Sequence, residues 1–290
     1  MTPGPDSPRP SAIVDHPSEA PLEAPLEAPS EPTSWEVLGR RLSAPVEVRR
    51  AGQWSVQYLV PSAAAQRLVD PSGLTVTGPL PGKALVALAV CRYNDTDLDP
   101  YHEVAVSFVV RTHDAPPGAS GLQRLKEFGT GALGVYIHQL PVDQEFSCAA
   151  GRDIWGFPKW VASIDIDDGS PADSARSGTT VRLVDGGEHV LSLTMTGGGR
   201  VKLPSRAPPT YSFRDEVLRR TTWTTSSEGV SGRLGGATLI LGSHPMADEL
   251  RSLGLPKRAL FSSSAAWMRA SFDPATVVQI ANRPGAEGSR

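Results

Sequence analysis

With 290 residues, 39% of them apolar, the chain can bury a substantial core unaided, and only two cysteines, Cys91 and Cys148, argue against a disulfide scaffold and for a reducing compartment. The formal net charge is −3, but residues 1–34 hold six acids against one base, leaving 27 bases and 25 acids in a nearly neutral remainder. No lysine and arginine cluster with interleaved aromatics suits nucleic acid and no uninterrupted apolar run suits a membrane, so the expected partner is a small molecule.

Nine of the first 34 residues are proline, and Glu19 to Pro32 repeats a Glu-Ala-Pro theme that can bury almost nothing. This composition predicts a disordered tail over 1–34 ahead of a domain over 35–290. The tail lacks the basic start and apolar run of a secretory leader, so the expected location is the cytoplasm.

Alternation of apolar and polar residues then predicts strands at Trp54–Tyr58, Ala84–Val90, Val104–Val110 and Gly134–His138. It predicts more at Trp160–Ile166, Thr179–Val184 and Val190–Thr196, with glycine- and aspartate-rich turns between them. Helices are few and short: Ala63–Val69, Leu122–Phe128, and Met246–Leu253, the last opened by Ser243 and Pro245 and closed by Gly254. The expected fold is mainly β (α+β), a curved antiparallel sheet or incomplete β-barrel enclosing a central cavity.

Two motifs lose to plainer readings. Gly129-Thr-Gly-Ala-Leu-Gly134 matches a dinucleotide fingerprint as a string, but a helical pattern precedes it and a strand follows, the reverse of what pyrophosphate binding needs. Asp95, Asp97 and Asp99 open like a calcium loop, yet Pro100 takes the glycine position and Val106 cannot ligate, so they read as a solvated turn. The six histidines never pair at metal-ligand spacing, and His138 reads as a core residue; no metal or cofactor is expected.

The informative segment is Gly151-Arg-Asp-Ile-Trp-Gly-Phe-Pro-Lys159, in which a glycine and proline corner delivers a lysine onto a strand among Ile154, Trp155, Phe157 and Trp160. Removing an ammonium from water disfavours its charged form, so a buried lysine there becomes a nucleophile near neutral pH, whereas a solvated one is an ordinary surface lysine. Alternation after Pro158 sends Lys159, Val161, Ser163 and Asp165 to one face and Trp160, Ala162, Ile164 and Ile166 to the other.

Together with Tyr101-His-Glu-Val-Ala-Val-Ser107, Gly134-Val-Tyr136 and Leu140-Pro-Val-Asp143, this segment resembles the acetoacetate decarboxylase family, firmly over Tyr101–Ala162 and loosely over Tyr58–Thr196. The resemblance implies a β-rich domain around a funnel, assembled into homo-oligomers. Lys159 falls on the family's Schiff-base lysine and Glu103 on its pocket carboxylate, with general acid/base work implied for the latter. Lysine activation by its surroundings is the documented behaviour of acetoacetate decarboxylase itself, and the resemblance alone brings it to Lys159.

For substrate binding the candidates are Arg152, Trp160, and Arg50, with Arg49 in its place if one gap moves. Two departures stand out. The decarboxylases proper follow the reactive lysine with a second lysine, where this chain has Trp160, and an ungapped alignment places Leu88 where the family has a further carboxylate. The expected activity is a Schiff-base lyase on a keto acid or related carbonyl compound, decarboxylation first. Aldol, dehydration or cyclisation chemistry and a non-catalytic carrier are the alternatives.

Overall fold

A computed structural model describes Met1 and residues 33–113, 133–168, 178–200 and 207–278. The strands in chain order are β1 (Ser34–Val37), β2 (Arg40–Ser43), β3 (Val46–Pro61), β4 (Lys83–Thr96), β5 (Tyr101–Arg111), β6 (Leu133–Val142), β7 (Lys159–Val161) and β8 (Ser163–Asp167). There follow β9 (Gly178–Asp185), β10 (Glu188–Thr196), β11 (Gly199–Arg200), β12 (Thr210–Arg214), β13 (Val217–Thr221), β14 (Trp223–Leu234), β15 (Ala237–Leu241), β16 (Phe261–Phe272) and β17 (Thr276–Val277). The helices are α1 (Ser62–Val69), α2 (Glu145–Trp155) and α3 (Pro245–Ser252).

Ten strands run in the order β11-β14-β16-β3-β4-β5-β6-β12-β13-β17, with β7 added on β6. A second sheet has the order β15-β10-β9-β8, and β1 and β2 form a separate hairpin. The large sheet ends on β11 and β17 without closing, so the architecture is an open, curved sheet and not a barrel.

Period-two alternation gives the large sheet two different faces. On β4, Val86, Leu88 and Val90 are fully buried and belong, with Val56 and Val106, to a core shared with Val181, Leu183, Leu191 and Leu193 of the smaller sheet. At about 1.5–3 kcal/mol for each fully buried aliphatic side chain, this is the adhesive that joins the two sheets. The opposite face of the same strands carries Ala87, Ala89 and Cys91, side chains too small to fill the space beneath α2, and a cavity remains.

Six of the seven expected strand segments fall within single strands, and the helices expected at Ala63–Val69 and Met246–Leu253 are α1 and α3. The helix expected at Leu122–Phe128 lies outside the described residues, as does most of the glycine run; Leu133 and Gly134 open β6. Pairing is antiparallel as expected except at β6, which pairs in parallel with both β7 and β12. A parallel neighbour requires a crossover of about a dozen residues or more, which the segment containing α2 supplies between β6 and β7. Trp160–Ile166, expected as one strand, breaks at Ala162 into β7 and β8, in different sheets.

The aspartates lie at an exposed turn, as expected, and two of them also clamp an arginine. Arg49 pairs with Asp95 at 2.7 Å and Asp97 at 2.6 Å, and Asp97 also accepts the Glu47 amide at 2.8 Å. His138, expected in the core, pairs with Glu249 of α3 at 2.9 Å and holds that carboxyl below its ordinary range. Among the described residues no helix is long and apolar enough to cross a membrane.

Candidate active site

Helix α2 begins where Gln144 accepts the Ser147 amide at 2.6 Å, satisfying one of the free donors of the first turn. Phe146, Ala150 and Ile154, at four-residue spacing, bury one face of the helix. Gly156 ends it with φ 62°, where its amide donates to Arg152 O at 3.0 Å. A side chain at Gly156 would also stand 2.6 Å from Arg219 Nη1, so both conformation and space call for glycine.

The chain then turns through Pro158 and enters β7 at Lys159, registered with Leu140 of β6. The lysine side chain crosses α2 at Gly151, where a Cβ would come within 2.7 Å of Lys159 Cε. The missing side chain of Gly151 is therefore the channel through which the lysine reaches the cavity.

Lys159 Nζ lies 2.8 Å from Glu103 Oε2, with the two side chains 3% and 12% exposed. It also stands 4.9 Å above the centre of the Tyr101 ring, whose face attracts a cation. The other carboxylate oxygen of Glu103 accepts the Tyr93 hydroxyl at 3.2 Å, and Tyr93 stacks on Tyr101 with ring centres 4.4 Å apart. The end of β5 that bears Glu103 is itself pinned: the His102 amide donates to Asp143 at 2.7 Å, and its ring Nδ1 lies 2.8 Å from the same carboxylate.

This group sits at one end of a cavity of about 370 Å³ between the large sheet and α2. Among the described residues lining it, Glu103 is the sole carboxylate and Lys159 the sole cation. Burial, reinforced by the Glu103 charge, pushes the Cys91 thiol in the same wall up to about 12. Burial first, and then the neighbouring acidic groups, also raises the Tyr93 and Tyr101 phenols well above their ordinary value, so both stay protonated donors. Among the described residues no group of three or more histidine, cysteine, aspartate or glutamate side chains could hold a metal ion.

Lys159 and Glu103 are thus brought together, but the three expected substrate-binding residues lie outside the cavity lining. Arg152 is exposed on α2 and donates from Nε to Lys159 O at 2.7 Å, which fixes the start of β7 instead of facing a ligand. Trp160 points away from Lys159, as alternation requires; it stacks on His244 at 5.6 Å and donates to Gln139 at 3.3 Å. Arg50 is turned outward where the β3–β4 register slips, 5.9 Å above the Trp267 ring. Leu88, which the ungapped alignment puts where the family has a further carboxylate, faces the core on the other side of the sheet; its neighbours Ala87 and Ala89 line the cavity.

Sequence reasoning missed Tyr93, the stacking role of Tyr101, and Gly151. Tyr93 shares the parity of Ala89 and Cys91 and pairs in register with Tyr101, a signal that becomes readable only once the hairpin turn is placed.

The sequence profile described as acetoacetate decarboxylase (ADC) matches residues 29–279. No curated protein matches the chain. Among solved structures, one from structural studies of acetoacetate decarboxylase aligns with a TM-score of 0.61 at 20% identity, over 82% of this chain and 90% of that one. The acetoacetate decarboxylase of Legionella pneumophila aligns with a TM-score of 0.61 at 18% identity, over 90% of this chain and 98% of that one. The enduracididine biosynthesis enzyme MppR, complexed with the condensation product of pyruvate and imidazole 4-carboxaldehyde, aligns with a TM-score of 0.58 at 15% identity, over 81% of this chain and 90% of that one. At these identities the structures attest the fold, while the profile spans most of the sequence: the chain belongs to the acetoacetate decarboxylase family.

Proposed function

We propose that the protein is a Schiff-base enzyme that decarboxylates a keto acid at Lys159. The observation that carries this reading is a buried amine 2.8 Å from the only carboxylate among the described residues of an apolar cavity. Glu103 accepts a proton from the ammonium, and the free amine attacks the substrate carbonyl carbon to form a C–N bond. The carbonyl oxygen takes protons by way of Glu103 and leaves as water, giving an iminium.

In a β-keto acid the electrons of the bond to the carboxylate then flow into the iminium, releasing carbon dioxide and an enamine. Protonation of the enamine carbon and addition of water return the ketone and free Lys159, with one solvent proton consumed overall. With no second cation among the described lining residues, a bound carboxylate has only the iminium to face, and its departure as a neutral gas relieves its desolvation.

Condensation is the second reading. Glu103 is equally placed to remove a proton beside an iminium, and the resulting enamine can add to another carbonyl; the MppR complex with a condensation product supports it.

Borohydride reduction with a panel of α- and β-keto acids, followed by peptide mass mapping, tests the common step. The expected result is a reduced adduct on Lys159 that vanishes in Lys159→Ala, with turnover lost as well. Full turnover in that variant, or no adduct in the wild type with any member of the panel, overturns the reading. Labelled carbon dioxide from a carboxyl-labelled substrate distinguishes decarboxylation from condensation.

A further inference from the structure

Strand register arranges the cavity floor in three rows. Glu103, Cys91 and Gln53 stand abreast on β5, β4 and β3; then come Ala105, Ala89 and Ser55; then Ser107, Ala87 and Gln57. All nine line the cavity. At about 3.3 Å per residue, the first and third rows are about 13 Å apart along the strands.

The middle row offers two methyl groups and one hydroxymethyl, so it forms a lane and not a barrier. Aromatic pairs wall this space: Trp155 on Phe157 with ring centres 5.7 Å apart, and Trp223 on Phe272 at 5.1 Å. Its far row is neutral and hydrogen-bonding. Gln57 Nε2 donates to Ser55 Oγ at 2.9 Å, while its buried Oε1 has no partner among the described residues. Whichever way that amide is turned, Ser55 engages one end and leaves the other unmet. A buried amide group left in that state is costly, and a ligand that completes it recovers the loss.

We propose that the carbonyl substrate is an elongated, largely apolar compound with a flat body, carrying an uncharged hydroxyl or N–H group on the order of 10 Å from its carbonyl. Gln57 selects it by hydrogen bonding that far group. The proposal rests on the reading of Lys159 as the amine that takes the carbonyl. Among the described residues at the far end there is no lysine, arginine or histidine, which disfavours a second carboxylate or a phosphate there, and no acid, which disfavours a terminal ammonium.

Trp155 and Trp223 in the wall provide a fluorescence readout of binding that needs no covalent step. A series of aryl-substituted methyl ketones of increasing chain length, each with a para-hydroxyl and paired with its deoxy counterpart, is titrated into wild type and Gln57→Leu and also trapped with borohydride. Expected is an optimum chain length at which the hydroxylated ketone binds at least about tenfold more tightly than its deoxy partner, that preference falling to within about twofold in Gln57→Leu. Gln57→Met, which keeps the length without the amide, gives the same collapse if the leucine variant does not fold. Equal binding of each pair by wild type at every length, or a preference that persists in the variants, overturns the proposal. Failure of the Lys159 reading shows separately, as binding without any borohydride adduct.

Discussion

Glu103 is held from both sides, by Lys159 on one carboxylate oxygen and by the Tyr93 hydroxyl on the other. It is the only carboxylate among the described lining residues, with no substitute among them. Glu103→Gln, nearly isosteric, is expected to lower turnover of a keto acid by about 10²- to 10⁴-fold, the usual worth of a positioned proton carrier. Tyr93→Phe removes one hydrogen bond to a charged group and is expected to cost about tenfold. Steady-state rates on both variants check this, and a Glu103→Gln enzyme within tenfold of wild type would place the proton carrier elsewhere. Lys159 and Glu103 could be singled out because each lies in a run of specific residues, and the fold brings the two side chains to one cavity wall. Arg50, Arg152 and Trp160 fall outside the lining because residue type and nearness in sequence do not report which way a side chain leaves the backbone.

The decisive element is α2, and the sequence hid it. Gly151 in its middle and Gly-Phe-Pro after it read as a corner, although Gln144 as a cap and Phe146, Ala150 and Ile154 at helical spacing were there to be seen. Strands were easier, since each needs only local alternation, whereas parallel pairing depends on residues far apart in sequence. Leu88 shows how sharp the limit is: a slip of one residue exchanges the core face for the cavity face. Glycine inside a helix is normally a defect that alanine repairs by about 1 kcal/mol. At Gly151 the added methyl instead meets the lysine side chain, which must move off Glu103. Gly151→Ala is therefore expected to lower stability by about 1–3 kcal/mol, the overpacking outweighing the gain in helix propensity, while cutting borohydride labelling of Lys159 at least about tenfold. Melting curves and adduct yields check it together; wild-type labelling would mean the lysine reaches the cavity by another path.

Across the whole molecule, both faces of the large sheet bury groups that ionise only at high pH. Cys91 on the cavity side is raised from 9.0 to about 12, chiefly by burial. On the other side, Tyr58 and Tyr136 in the core between the sheets are raised from 10.0 to about 12, again by burial. Each group keeps its proton in the folded state at pH values where the unfolded chain releases it. Their stabilising contribution is therefore complete below pH 9, and it is lost progressively as pH rises through about 12. The slope reaches at most about 1.4 kcal/mol per pH unit for each group. Urea denaturation at pH 8, 9, 10 and 11 is expected to show a midpoint that begins to fall just above pH 9 and steepens above 10, where the phenols join the thiol. In Cys91→Ala the first part of that fall is expected to flatten while the steeper part remains, because the substitution removes the earliest titrating group and leaves both tyrosines in place. A midpoint unchanged up to pH 11 in the parent protein would mean that water reaches these groups and that the two faces of the sheet are less sealed than their packing implies.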